Sequence, residues 1–235
     1  MTSFLLRCLA GVGLVSMLAG CQGPRQQATP VKAQSTLDQL SESAPERDRS
    51  DITIPSEYRK ILGEGVSIYL PEGYEGGDPK QDIEQVAEQL EAAGEEHKDL
   101  SKALRKSKQR VALIAFDGQS DEEGFVTNVN ISLREAVPGT PLSVFLKTMT
   151  VNLTGQGYAI AAQSTPTLNG QEVGRLIVDV TVGKVELTQL VYVFKGETGF
   201  WLVTYSTTAD EFEDRLSEFE QSVLTFNPTT TAAQL

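Results

Sequence analysis

The segment 117–123 carries the side chains best suited to bind a metal ion. Four of its residues are acidic, namely Asp117, Asp121, Glu122 and Glu123. Carboxylate oxygens are the ligands that Ca²⁺ and Mg²⁺ prefer in proteins. Their spacing differs from that of an EF-hand loop, and the composition favours the alternative, a solvated turn between two strands. A calcium or magnesium site is therefore a hypothesis, and no other cofactor is expected.

The other reactive side chains do not form a catalytic pattern. His97 is the only histidine, and it lies at the apolar edge of a predicted helix, where a structural role is expected. No serine stands in a G-x-S-x-G context, and no glycine-rich phosphate-binding loop is present. We therefore expect no enzymatic activity. A hydrolase built on a convergent pair of buried carboxylates is the remaining alternative.

The cysteine at position 21 ends an N-terminal segment with the features of a secretory signal. Arg7 supplies a positive start, residues 8–18 form an apolar centre, and Ala19 and Gly20 are small. The apolar centre is too short for a membrane-spanning helix, which needs about 20 apolar residues. Residues 18–21 resemble the bacterial lipobox. That resemblance implies cleavage between Gly20 and Cys21 and acylation of Cys21; an ordinary signal ending near Ala19 is the alternative.

Acylation at Cys21 would place the protein on a membrane, outside the cytoplasm. Two or three acyl chains give stable anchoring without a transmembrane helix. Gln22 follows the cysteine, and in lipoproteins of two-membrane bacteria a residue other than aspartate favours the outer membrane, facing the periplasm. In a one-membrane bacterium the same anchor leaves the domain on the outer face. Cys8 would be removed with the signal, so no disulfide is expected and the core must stabilise the fold.

The charge of the chain restricts its partners. The formal net charge is −12, and an acidic chain repels nucleic acid and anionic lipid headgroups. We expect no nucleic-acid partner, and contact with the membrane through the lipid anchor alone.

Composition divides the chain into four parts. Residues 1–20 are the signal peptide, and residues 21–50 are the lipidated cysteine and a flexible tether, because this polar stretch cannot bury enough apolar surface to fold. Residues 51–228 form one globular domain, and residues 229–235 form a disordered tail.

Hydrophobic periodicity predicts mixed helices and strands within the globular domain. Alternating or continuous apolar runs predict strands at 65–71, 110–116, 125–133, 158–162, 172–182, 185–195 and 199–206. Three- and four-residue spacing predicts helices at 78–108, 140–155 and 208–226. Tyr58, Ile61 and Leu62 suggest a short helical turn, residues 72–77 a turn, and residues 208–211 a capping box.

Two adjacent aromatic residues, Phe200 and Trp201, fall within one predicted strand. Successive side chains of a strand point to opposite faces of its sheet. One of the two is therefore expected in the core. The other marks a partner-binding patch if no helix covers it.

Three segments resemble the PsbP-like superfamily, which includes the photosystem II oxygen-evolving subunit and lipoproteins of the DcrB type. They are G-V-S-I-Y-L-P at 65–71, T-N-V-N-I-S-L at 127–133, and residues 168–226 with the aromatic strands and the closing helix. The resemblance covers about residues 52–228. It implies an α+β fold, an α/β/α sandwich around a largely antiparallel sheet of about six strands. It also implies contacts with other proteins and brings no catalytic residue.

One segment departs from the photosynthetic members of that superfamily. The charged insertion at 78–108 is long, so photosystem binding is not carried over, and the metal-associated residues of the family cannot be placed on this chain. The sequence thus favours a lipid-anchored extracytoplasmic protein-binding module, an assembly or stability factor for an envelope or membrane complex. A lipoprotein that binds a small ligand or a divalent cation is the alternative.

Overall fold

A computed structural model describes residues 53–79, 111–118 and 125–228. The predicted signal peptide, tether and tail lie outside these residues. So do Gly20, Cys21, His97 and all but the first two residues of the helix predicted at 78–108.

A seven-stranded sheet, called here the main sheet, forms the centre of the described structure. Its strand order is β3-β4-β5-β11-β10-β9-β6, and every pairing is antiparallel. The strands are β3 (Tyr74–Gly77), β4 (Val111–Asp117), β5 (Asn128–Glu135), β6 (Ala159–Ser164), β9 (Gly174–Val182), β10 (Val185–Lys195) and β11 (Gly199–Thr208).

The long hairpins of the main sheet confirm the strands predicted from 110 to 206. Strands β9 and β10 pair from Val182 and Val185 outward, around a two-residue connection in which Gly183 has φ +65°. That positive φ is readily adopted by glycine and suits a tight hairpin turn. The segment predicted as a turn at 72–77 contains strand β3, which raises the predicted count of about six strands to seven.

Outside the main sheet, a three-stranded sheet joins the two ends of the domain. Its order is β1-β2-β12, with β1 (Tyr58–Gly63), β2 (Val66–Pro71) and β12 (Asn227–Pro228). The helical turn predicted from Tyr58, Ile61 and Leu62 is wrong, because β1 pairs along its whole length with β2. A two-stranded hairpin, β7 (Thr167–Leu168) and β8 (Gln171–Glu172), completes the strands of the part of the chain that the structure describes.

Two helices of the described residues cover opposite faces of the main sheet. Helix α1 (Leu142–Gly155) buries Leu146 and Met149 against one face, which we call the α1 face. Helix α2 (Phe212–Leu224) and strand β2 cover the other, the α2 face. The α+β fold and its sandwich arrangement are therefore confirmed.

The apolar stripe predicted for the last helix is buried as expected. Phe212, Leu216, Phe219 and Val223 are each 7% exposed or less. The capping box predicted at 208–211 is wrong, because α2 begins at Phe212 and no side chain caps its first turn.

Buried polar contacts fix α2 against the strands beneath it. Arg175 of β9, 1% exposed, forms an ion pair with Glu220 at 2.8 Å. The Tyr205 hydroxyl donates to Ser222 Oγ at 2.9 Å, and the Ser222 hydroxyl donates to the Tyr69 carbonyl at 2.8 Å. Such satisfied buried contacts favour one orientation of the helix, because any other would leave polar groups unpaired.

Candidate functional site

Asp117, the first residue of the predicted metal loop, binds an arginine. It ends β4 and is 5% exposed. Arg215 donates from Nη1 to Asp117 Oδ2 at 2.8 Å and from Nε to Glu211 Oε2 at 2.7 Å. Glu211 and Arg215 are four residues apart, which brings their side chains together at the start of α2. The ion pairs thus join the end of β4 to that helix.

Two threonines extend this network across the sheet. Thr207 donates from Oγ1 to Glu211 Oε2 at 3.0 Å, and Thr127 Oγ1 lies 2.8 Å from Thr207 Oγ1. Burial by itself lowers the pKa of Arg215, but the hydrogen bonds to Glu211 and Asp117 outweigh it and raise that pKa. Arg215 therefore stays charged and pairs with both carboxylates.

The cation site predicted at the acidic loop stays a prediction. Asp121, Glu122 and Glu123 lie outside the described residues. Within the parts of the chain that the structure describes, no three His, Cys, Asp or Glu side chains are placed to hold a metal ion. A cation at Asp117 would have to compete with Arg215 for the carboxylate.

A tyrosine and a glutamate form a second polar pair beside this network. The Tyr74 hydroxyl donates to Glu218 Oε1 at 3.1 Å. Burial raises the pKa of Glu218, and its hydrogen bond to Tyr74 and the charge of Arg215 oppose that rise. Burial, followed by the charge of Glu218, also raises the pKa of Tyr58 to about 12. These groups resist ionisation, which suits a structural role.

The aromatic pair predicted for partner binding lies on the two faces of β11. Phe200 is 1% exposed and stacks on Phe145 of α1, with ring centroids 4.1 Å apart. Trp201 is half-buried on the α2 face and contacts Phe226 edge-on, at 6.4 Å. Trp201 is the member of the pair with accessible surface. Their role in binding stays a prediction.

The outer surface of α1 carries exposed valines that the sequence patterns above did not predict. Val144 and Val151 are 52% and 63% exposed, and Val137, in the loop before the helix, is 78% exposed. Val144 and Val151 lie seven residues, about two helical turns, apart and so share one side of the helix. Lys147 is the only charged residue of the fourteen in α1. We call Val137, Val144, Lys147 and Val151 the α1 outer face.

A sequence signal for this face existed. The predicted apolar stripe of α1 (Leu142, Phe145, Leu146, Met149 and Leu153) leaves Val144 and Val151 on another side of the helix. Two valines at seven-residue spacing, in a helix with a single charge, indicate apolar residues on a second side of the helix. The predicted core-facing stripe of α1 does not include these two valines.

No described helix is long and apolar enough to cross a membrane.

Comparisons with known proteins concern the fold alone. No protein-family model matches the sequence, and no curated protein matches it. Among solved structures, the cyanobacterial PsbP of Synechocystis sp. PCC 6803 is similar, with 16% sequence identity and a TM-score of 0.47. The match covers 76% of this chain and 95% of that protein.

Two further solved structures show a comparable likeness. LpqN, described as involved in cell envelope biogenesis of Mycobacterium tuberculosis, is 10% identical with a TM-score of 0.47; the match covers 79% of this chain and 99% of LpqN. A protein of unknown function and putative regulator from Pseudomonas aeruginosa is 14% identical with a TM-score of 0.43. That match covers 48% of this chain and 80% of the other.

Proposed function

We propose that this protein is a lipid-anchored extracytoplasmic module that binds another protein of the cell envelope through the α1 outer face. The observation that carries the proposal is the exposure of Val137, Val144 and Val151 in a strongly acidic chain. Val144 and Val151 share one side of α1, and exposed apolar residues grouped together mark interaction surfaces more often than single ones do. The role is binding, in the assembly or stability of an envelope complex, and not catalysis.

The charge of this protein limits the kinds of surface that a partner can present to it. With a net charge of −12, most of this protein repels acidic surfaces. The α1 outer face carries one charge, that of Lys147, so a partner can approach it without that repulsion. The partner surface that fits is apolar, with a carboxylate within reach of Lys147. An ion pair of this kind, at the edge of the interface, would fix the orientation of the partner more than it would raise the affinity.

Photo-crosslinking in cells tests this docking surface. A photoreactive residue at Val144 should capture a defined envelope protein. The matched control is the same residue at Leu62, which is 63% exposed on β1, a strand on the opposite side of the main sheet from α1. Capture of the same proteins from both positions would contradict the proposal.

The anchor is tested separately, because it rests on the resemblance of residues 18–21 to the lipobox. Cells grown with an alkyne-tagged fatty acid should label the native chain and the Cys8→Ala variant, but not Cys21→Ala. We expect Cys8→Ala to remain labelled because Cys8 is removed with the signal peptide. Equal labelling of Cys21→Ala and the native chain would contradict the lipid anchor at Cys21. The docking surface would be unaffected by that result, because crosslinking tests it separately.

A further inference from the structure

Six uncharged polar side chains lie together on the α1 face of the three central strands. Antiparallel register places Asn130 opposite Thr204, and places Ser206 between Asn128 and Gln189. Directly paired residues of a sheet project from the same face. All six are 6% exposed or less, and we call them the polar floor: Asn128, Asn130, Ser132, Gln189, Thr204 and Ser206.

Three buried atoms of the polar floor have no hydrogen-bond partner within the described parts of the chain. They are Asn128 Oδ1, Ser132 Oγ and Thr204 Oγ1. Other polar groups of the floor are satisfied, since Asn128 Nδ2 donates to the Val126 carbonyl and Gln189 Nε2 donates to Ser206 Oγ, both at 3.0 Å. Folded proteins leave few buried polar atoms unpaired. Three unpaired atoms on two adjacent strands therefore require an explanation.

Apolar side chains surround the polar floor on the same face. Ile114 and Phe116 of β4 lie opposite Asn130 and Asn128. On the other side, Val191 lies opposite Thr204, and Leu202 lies opposite Ser132. Ile114 and Phe116 are half-buried, so the β4 side of the floor is the more open one. Apolar walls around a few convergent polar groups are typical of small-molecule sites.

The chemistry of the polar floor selects an uncharged ligand. None of its six side chains ionises, so a charged molecule would lose its hydration there without gaining a counter-charge. Arg134, the next residue on this face of β5, lies opposite Phe200 and has an interaction of its own. Asn128 Oδ1 accepts hydrogen bonds, while the hydroxyls of Ser132 and Thr204 can donate or accept.

We propose that the polar floor binds a small uncharged molecule that carries amide or hydroxyl groups. A donor of the molecule reaches Asn128 Oδ1, and its carbonyl or hydroxyl oxygen meets Ser132 and Thr204. The site lies on the main sheet and is separate from the α1 outer face. The two proposals therefore stand or fail independently.

Acetamide is a suitable probe, because it offers one amide donor group and one acceptor. The full chain, labelled at threonine, valine and leucine methyl groups, is titrated with acetamide and followed by NMR. Saturable shifts are expected at the methyls of Thr204, Val191 and Leu202. The exposed methyls of Val144 and Val151 serve as internal controls and should not shift. A titration without saturable shifts at the floor would overturn the proposal.

The Thr204→Val variant removes one unpaired hydroxyl while keeping the shape of the side chain. It should weaken acetamide binding about three- to tenfold, the loss expected for one hydrogen bond. In buffer without acetamide it should unfold at a higher temperature than the native chain, because it no longer buries an unpaired hydroxyl. Thr148→Val, on the exposed side of α1, is the matched control and should leave the affinity unchanged.

Two results would contradict the site. A lower unfolding temperature of Thr204→Val without acetamide would show that the hydroxyl is already hydrogen-bonded inside the protein. A high-resolution structure in which ordered water alone joins the three atoms, with acetamide present, would show that the polar floor holds solvent and no ligand.

Discussion

Burial changes the acid–base behaviour of individual residues around α2. Glu218 lies half-buried beside Tyr74, and burial raises its pKa above the ordinary value of 4.5. A carboxyl group with a raised pKa binds its proton more tightly in the folded protein than in the unfolded chain. Its stabilising contribution is therefore complete below pH 4.5 and is lost as the pH rises through the folded-state pKa.

Replacing Glu218 by glutamine should remove this pH-dependent loss. Glu218→Gln keeps an acceptor for the Tyr74 hydroxyl and carries no buried charge. It should unfold at a higher temperature than the native chain at neutral pH, and the gain should shrink as the pH falls toward 4.5. Thermal unfolding followed by circular dichroism between pH 4 and 8 measures the difference.

The control for Glu218→Gln is a change on the exposed side of the same helix. Glu213→Gln removes one negative charge from an acidic protein without changing a buried group. If it produced the same gain with the same pH dependence, general charge repulsion and not burial at Glu218 would be the cause.

At the scale of single elements, backbone contact at the start of β11 limits which residue can stand there. A Cβ atom added to Gly199 would lie 2.0 Å from the Arg134 carbonyl oxygen of β5. Neither partner is a flexible side chain, so the two strands would have to separate. At Gly155, the last residue of α1, an added Cβ atom would meet no atom within 4 Å.

Alanine substitutions at these two glycines should therefore have opposite effects. Gly199→Ala should lower the free energy of unfolding by about 1–3 kcal/mol, the usual cost of forcing extra atoms into a tight site. Gly155→Ala should raise it by about 0.4–1 kcal/mol, because it restricts the unfolded chain without strain. Denaturant unfolding measures both changes, and equal effects of the two variants would contradict the close approach of β5 and β11.

Elements with local signals could be predicted from the sequence. The hairpins around Gly183 and residues 196–198, and the buried stripe of α2, follow from turn residues and periodicity, which act over a few positions. Strand β1 could not be predicted in this way. The spacing of Tyr58, Ile61 and Leu62 fits a helical turn, and pairing with β2 decides their conformation.

The candidate sites could be predicted only in part, because their contacts join distant residues. The acidic neighbours of Asp117 predict a metal ligand, yet its observed partner, Arg215, stands 98 positions away. Alternation along β5 places Asn128 and Asn130 on the side of the strand opposite Val129 and Ile131. Both sides of β5 are buried, and this burial depends on packing against distant parts of the chain, which local sequence patterns do not predict.

At the scale of the whole molecule, buried tyrosines make the stability of the fold depend on pH in the alkaline range. Burial is the largest cause of the raised pKa values of Tyr74, Tyr192 and Tyr205, whose ordinary value is 10.0. The folded state holds these phenols neutral, so their contribution to stability is complete below pH 10 and is lost above it.

An alkaline titration should show that the buried tyrosines ionise only as the protein unfolds. Absorbance of phenolate near 295 nm should rise first for the more exposed tyrosines, and the last phenolates should appear together with loss of the circular dichroism signal. Ionisation of all six tyrosines while the circular dichroism signal is unchanged would contradict the burial of Tyr74, Tyr192 and Tyr205.

The central claim is that the α1 outer face docks this protein onto an envelope partner, and its size in gently solubilised membranes tests that claim most directly. The native chain is compared by native gel electrophoresis with the Val144→Asp/Val151→Asp variant and with Leu62→Asp. The native chain and Leu62→Asp should migrate in a complex larger than the monomer. Val144→Asp/Val151→Asp should migrate as a folded monomer, because charged side chains replace the apolar contacts. A native chain found only as a free monomer, or a double variant still in the complex, would contradict the account.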